Sequence, residues 1–206
     1  MAFEKEMQEF SHRREHALEM GGAAKVAQHH SRGKWTARER IDRLLDPESF
    51  LEVGRFNHSD IPGMEEKTPA DSKICGYGTI DGRRVVVLAN DFTVLAATSS
   101  RVAGRKEGEI KQAAVKYGFP VVYLGEAGGA RMPDIMGSKG LASFGGGGHD
   151  TYLQIMSRVR QSPMVTAILG ECYGAHLDGL PVRFRRSGQG KRHGRLRPPG
   201  IGPGPG

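Results

Sequence analysis

Two short apolar runs, each ending in a glycine-rich turn, constrain this chain more than any other feature. Residues 121–124 (Val-Val-Tyr-Leu) lead into Gly125-Glu-Ala-Gly-Gly-Ala-Arg131, and residues 164–169 (Met-Val-Thr-Ala-Ile-Leu) lead into Gly170-Glu-Cys-Tyr-Gly-Ala175. Runs of this length and composition, bounded by glycine, are expected to be buried strands. Helical patterns over 101–117 and 151–161 alternate with them. Gly118 ends the first helix, and Pro120 opens the strand after it. Strands alternating with helices, with glycine turns after the strands, predict a layered α/β fold.

Upstream, residues 1–30 are expected to form a charged helix with weak apolar spacing at Phe3, Met7, Phe10, Ala17 and Met20. Thr36 with Glu39 three residues on is a capping box, followed by the apolar face Ile41, Leu44 and Leu45 and a stop at Pro47. Residues 49–53 read as a short strand, and the polar, Pro- and Gly-bearing stretch 57–72 as a loop. Residues 74–80 and 84–89, joined through Asp81-Gly82, carry the signal of a β-hairpin. His12 and His16 at i, i+4, and the pair His29-His30, are expected to lie on a solvated face rather than to hold a metal.

Composition narrows the function classes. No run of eighteen apolar residues is encoded, and residues 1–20 are charged without an apolar core, so a cytoplasmic protein is expected. Cys75 and Cys172 are far apart within apolar stretches and are expected to be free thiols. The net charge of +7 suggests nucleic acid until it is located. Residues 181–206 contain seven Lys or Arg and no acid, and the other 23 basic residues balance the 23 acidic ones. The excess sits in a Gly/Pro/Arg tail with a single aromatic, Phe184, which disfavours a nucleic-acid module.

The glycine turns are the best candidates for chemistry. Backbone N–H groups exposed after a strand form an anion site, and glycine leaves no side chain in the way of an approaching oxygen. Two such turns can each give one donor to a single oxyanion, each donor being worth roughly 3 kcal/mol in a transition state. Spacing alone favours two plain tight turns, since glycine turns are common in such folds. Neither turn has the glycine spacing of a phosphate loop or a dinucleotide fingerprint. No Ser-His-Asp, Cys-His or zinc constellation is evident, and Ser99 and Ser100 lack a nucleophile-elbow context. That pattern favours backbone dipoles acting on an activated substrate such as a thioester enolate.

Five motifs in order resemble the carboxyltransferase subunits of biotin-dependent acyl-CoA carboxylases of the propionyl-, methylcrotonyl- and acetyl-CoA types. They are Thr36-Ala-Arg-Glu-Arg-Ile41 with Leu44-Leu-Asp46 and Ser49-Phe50; Gly76-Tyr-Gly-Thr-Ile-Asp-Gly82; Asn90-Asp-Phe-Thr-Val94; Glu126-Ala-Gly-Gly-Ala-Arg131; and Gly170-Glu-Cys-Tyr-Gly174. The resemblance implies a crotonase-like ββα superhelix that moves a carboxyl group between carboxybiotin and the α-carbon of an acyl-CoA. It implies oxyanion donors at Gly128, Gly129 and Ala130 on one side and at Gly174 and Ala175 on the other. It places Phe92, Thr93, Ala96, Ala97, Arg101, Arg105 and Lys106 along the coenzyme A pocket. The implied partners are acyl-CoA, biotin carboxyl carrier and biotin carboxylase subunits, and further copies of the chain. A crotonase-type hydratase or isomerase is the alternative, and it requires a catalytic carboxylate beside the oxyanion hole. Leu95-Ala-Ala-Thr98 stands where many relatives have Gly-Gly-Ser, and no four-cysteine zinc module is present.

The chain is therefore expected to divide into a charged helical segment (1–33), a partial carboxyltransferase N-domain (34–175) and a disordered basic tail (176–206). Codons can be chosen for residues 176–202 so that the neighbouring frame continues in a manner resembling the family, which suggests a one-base deletion near the codons of Ala175 and His176. Resequencing the gene across that point is expected to show the alternative frame. A frame with no such reading on either side would remove the explanation.

Overall fold

The computed structural model describes residues 3–136 and 163–173. Its centre is a five-stranded sheet in sequential order: β1 (Leu51–Val53), β2 (Lys73–Ile80), β3 (Arg83–Asn90), β4 (Val121–Ala127) and β5 (Met164–Cys172). β1, β2 and β3 are antiparallel neighbours, and β3, β4 and β5 are parallel. The hairpin turns at Asp81-Gly82, both with positive φ, as that turn dipeptide requires.

Helices cover both faces, which is why the central strands are apolar at nearly every position. On one face α4 (Arg101–Tyr117) packs Ile110 and Ala114 against Cys75, Val86, Leu88 and Tyr123. On the other, α3 (Ala37–Leu44) and the residue after it pack Ala37, Ile41 and Leu45 against Ile74, Val87, Ala89 and Leu124. Both helices begin as their sequences prescribe. Thr36 closes a full capping box with Glu39, and Ser100 Oγ accepts from the amide of Ala103 at 3.0 Å. α4 ends at Gly118, whose φ of 69° suits glycine.

The single helix expected over residues 1–30 is two helices, α1 (Glu4–Glu19) and α2 (Ala23–Ser31). The break has a packing cause. Gly21 lies so close to the 92–94 segment that a β-carbon would stand 2.0 Å from the Thr93 carbonyl oxygen, and its amide donates to Thr93 Oγ1 at 3.0 Å. Residues 57–72 are irregular apart from two single 3₁₀ turns, Glu65–Lys67 and Pro69–Ser72. The helix expected at 151–161 and the tail at 176–206 lie outside the described residues.

A buried ionic network joins α4 to the sheet. Lys73 Nζ donates to Glu107 Oε2 (2.6 Å), Asn90 Oδ1 (2.5 Å) and Tyr123 Oη (3.0 Å), and Lys111 also binds Glu107. Burial alone would neutralise these groups; their mutual attraction outweighs it. Burial and the Glu107 charge push the Tyr123 phenol up to about 12. Burial opposes ionisation of Glu107, but Lys111 and Lys73 hold its carboxyl far below the usual range. A depressed carboxylate stabilises the fold above its unfolded-state pKa of 4.5 and loses that contribution as pH falls towards its folded value. Glu107→Gln is expected to lower stability at neutral pH and to flatten the decline below pH ~4.5, read by urea unfolding across pH. An unchanged acid slope would show that Glu107 is not among the groups driving it.

Candidate active site

The parallel pairing of β4 and β5 brings the two glycine segments together. Both strands run further than their apolar runs suggest: β4 continues through Gly125, Glu126 and Ala127, and β5 through Gly170, Glu171 and Cys172. Glycine composition marks these residues as turn, but strand pairing claims them, because Ala127 aligns with Cys172. The amide of Tyr173 donates to the Ala127 carbonyl at 3.1 Å, so the chain leaves both strands at one edge of the sheet. Gly174 and Ala175, expected as the second pair of oxyanion donors, lie outside the described residues.

The first turn narrows to residues 128–131, stitched to the segment after β3. The Gly128 amide donates to the Ala96 carbonyl (2.7 Å), the Ser99 amide to the Gly129 carbonyl (2.8 Å), and the Arg131 amide to the Ser99 carbonyl (2.8 Å). Gly128, expected as an oxyanion donor, has thus given its N–H to Ala96. Its glycine character has a different cause: a β-carbon would stand 3.0 Å from that of Ala96. Among the described residues, the amides of Gly129 and Ala130 have no acceptor. Gly129 has φ 105°, which only glycine adopts without strain.

Two buried ion pairs flank this turn. Before it, Glu126 is fully buried and accepts from Lys34 Nζ and Arg40 Nη2, each at 2.6 Å, with His29 Nε2 at 3.7 Å. After it, Arg131 Nη1 meets Asp71 Oδ1 at 2.5 Å and its Nη2 reaches Ser72 Oγ and the Thr98 carbonyl. Asp71 also receives Ser100 Oγ and the Ala103 amide, so one carboxylate ties the turn to the start of α4. Asp134, 3.7 Å from Arg131, is held above the usual carboxylate range, chiefly by burial.

The residues expected along the coenzyme A pocket do not share one fate. Phe92, Thr93 and Ala96 border a cleft of about 650 Å³ between this segment and α1–α2. Ala97 is buried. Arg101 is paired with Asp60 at 2.9 Å. Arg105 is exposed, and among the described residues its guanidinium has no partner. Lys106 is buried, donating to the carbonyls of Lys73 (2.5 Å) and Ala70 (3.3 Å), so its ammonium does not reach the surface. Burial lowers its pKa. The cleft instead carries Lys25, Arg32 and Lys67, which the sequence reading passed over, against Glu19 and Glu66.

His29 departs from the solvated reading. It is 5% exposed, sits beside Glu126 and Phe92, and is lowered by burial. No spacing signal reveals this, since its partner is 97 positions away in sequence. His16 meets Glu66 instead of His12, and no metal-ligand cluster occurs among the described residues. Cys75 and Cys172 are both free, the first buried and the second half-buried. Burial pushes the Cys75 thiol up to about 11.

Known proteins resemble this chain in sequence and fold. The carboxyl transferase domain family matches residues 28–179. The propionyl-CoA carboxylase carboxyltransferase subunit of Haloferax mediterranei is 38% identical over 179 residues, the match covering 84% of this chain and 33% of the relative. The mitochondrial propionyl-CoA carboxylase beta chain of Sus scrofa is 38% identical, covering 79% of this chain and 30% of the relative. Among solved structures, the transcarboxylase 12S hexamer with methylmalonyl-coenzyme A superposes with a TM-score of 0.71 at 31% identity, covering 82% of this chain and 33% of that one. A single-chain, multi-domain long-chain acyl-CoA carboxylase gives 0.73 at 28% identity, covering 84% of this chain and 18% of that one. The chain thus spans about a third of the length of the relatives it matches. The crotonase-like fold expected from the motifs is the one these structures share, and the chain belongs to the carboxyl transferase domain family.

Proposed function

We propose that the chain is the acyl-CoA-binding portion of a carboxyltransferase that moves a carboxyl group between carboxybiotin and the α-carbon of an acyl-CoA. The observation that carries this reading is the pair of acceptor-free amides at Gly129 and Ala130, fixed at the sheet edge where the second glycine segment also emerges. Carboxylation places negative charge on the thioester oxygen as the α-carbon becomes nucleophilic. Donors already aimed at that oxygen lower the barrier without reorganising, each by roughly 3 kcal/mol. Gly174 and Ala175 complete the hole in this reading, and Gly128 is a packing residue. The bond to the carboxyl carbon breaks at the biotin nitrogen and forms at the α-carbon, and the α-proton passes to that nitrogen. Carboxybiotin is a substrate here, delivered on a carrier protein by a biotin carboxylase, and the working assembly is a homo-oligomer.

The cleft lined by Phe92 and Thr93 suits the coenzyme A moiety, with Lys25, Arg32 and Lys67 offering cations to its phosphates. The hydratase alternative needs a carboxylate facing the hole. The two acids that flank the first turn, Glu126 and Asp134, are both buried, Glu126 between two cations and Asp134 beside Arg131.

Calorimetric titration tests the reading. Propionyl-CoA is expected to bind the chain, and a nitro analogue that mimics its enolate is expected to bind about a hundredfold more tightly. With free carboxybiotin the chain alone is expected to form no carboxylated product. Equal affinity for the nitro analogue and the thioester would remove the oxyanion hole from the proposal.

A further inference from the structure

We infer that Glu126 is a positioning residue, whose buried carboxylate sets the placement of the two glycine turns relative to one another. The catalytic consequence rests on the acyl-CoA reading above, whereas the geometry does not. Glu126 touches neither turn as a donor or acceptor. It acts through space that it fills. A β-carbon on Gly170 would stand 2.2 Å from Glu126 Oε1 and 2.4 Å from its carboxyl carbon, so the backbone of β5 lies directly on the carboxylate. At this point the β4–β5 register shifts: Gly125 aligns with Ile168 but Ala127 aligns with Cys172. Two steps along β4 thus span four along β5, and Glu126 is the residue between. The irregularity re-aims a strand end, as bulges next to active sites do.

The carboxylate is itself immobilised from outside the sheet. Lys34 and Arg40 each hold one of its oxygens at 2.6 Å, and both come from the segment around the start of α3. Lys34 also lies 5.4 Å above the Phe92 ring, and His29 packs on the same ring at 6.1 Å. The cleft wall, the first turn and the bulge of β5 therefore share one buried charge. Removing either cation would leave one oxygen of a fully buried carboxylate without its partner.

Amide hydrogen exchange on the full 206-residue chain reads the geometry directly, because the Tyr173 amide is protected only while it donates to Ala127. Glu126→Gln is expected to lower Tyr173 protection by about tenfold or more and to cut the preference for the nitro analogue over propionyl-CoA by a similar factor. Gly170→Ala, which drives a methyl into the carboxylate, is expected to do the same, and Glu126→Ala/Gly170→Ala to recover part of both. Should Glu126→Gln alone fail to fold, Glu126→Gln/Arg40→Gln removes one charge of each sign and carries the same measurements. A lowered melting temperature with Tyr173 protection and ligand preference intact would make Glu126 merely stabilising and overturn the inference. If protection falls but the parent chain never preferred the nitro analogue, the positioning role stands and the acyl-CoA reading fails.

Discussion

A carboxylate with no exposed surface organises this protein. Taking Glu126 out of water costs several kcal/mol, and the fold offsets that cost with Lys34 and Arg40, residues 92 and 86 positions away in sequence. The requirement runs in both directions. α3 and the residues just before it have to dock where they do because two of their cations have one buried partner, and β5 has to carry glycine at position 170 because the same carboxylate fills the space of a side chain. Hydrophobic contacts between α3 and the sheet supply cohesion, but apolar contacts are non-directional. The ion cluster supplies register.

The opposite end of the turn has its own clamp, and it carries backbone strain. Ala70, Asp71 and Ser72 all have positive φ, and so do Leu95, Ala96 and Ala97. Six non-glycine residues in the left-handed region cost about 1–2 kcal/mol each. Each triplet meets the turn: Asp71 and Ser72 hold Arg131, and Ala96 accepts the Gly128 amide. Strained backbone of this kind persists where surrounding contacts over-determine it, and it concentrates at sites that need fixed geometry. Here both strained segments bear on residues 128–131 from outside the sheet.

The legible part of the sequence was the part governed by local rules. The capping box at Thr36, the span of α4 and the Asp-Gly hairpin were readable because each depends on neighbours within a few positions. The two strands and their glycine segments were readable too, although pairing extends each strand three residues into what composition marks as turn. What escaped was set by distant partners. At the break in the first helix, Gly21 packs directly on Thr93, 72 positions away in sequence. Lys106 looks like a surface cation by spacing, and only the tertiary structure turns its amine onto the carbonyls of Ala70 and Lys73. The family motif identified Glu126 and Arg131 as a unit, and it gave no hint that they serve the turn from opposite ends with different partners.

That asymmetry bears on how such a site tolerates change. In the proposed reading the donors are main-chain N–H groups, which every residue except proline keeps, although at Gly129, with φ 105°, any other residue would be strained. The geometry of the turn also depends on residues outside it: a carboxylate beneath the strand, a glycine facing that carboxylate, and an aspartate in a strained loop. Arg40 and Asp71 lie in different segments and share no partner, so their effects on the turn are expected to combine additively. Glu126 and Gly170 occupy the same space and cannot be independent. The chemistry proposed for the turn thus belongs to main-chain atoms, whereas the placement of the turn is set by side chains that sit in the core.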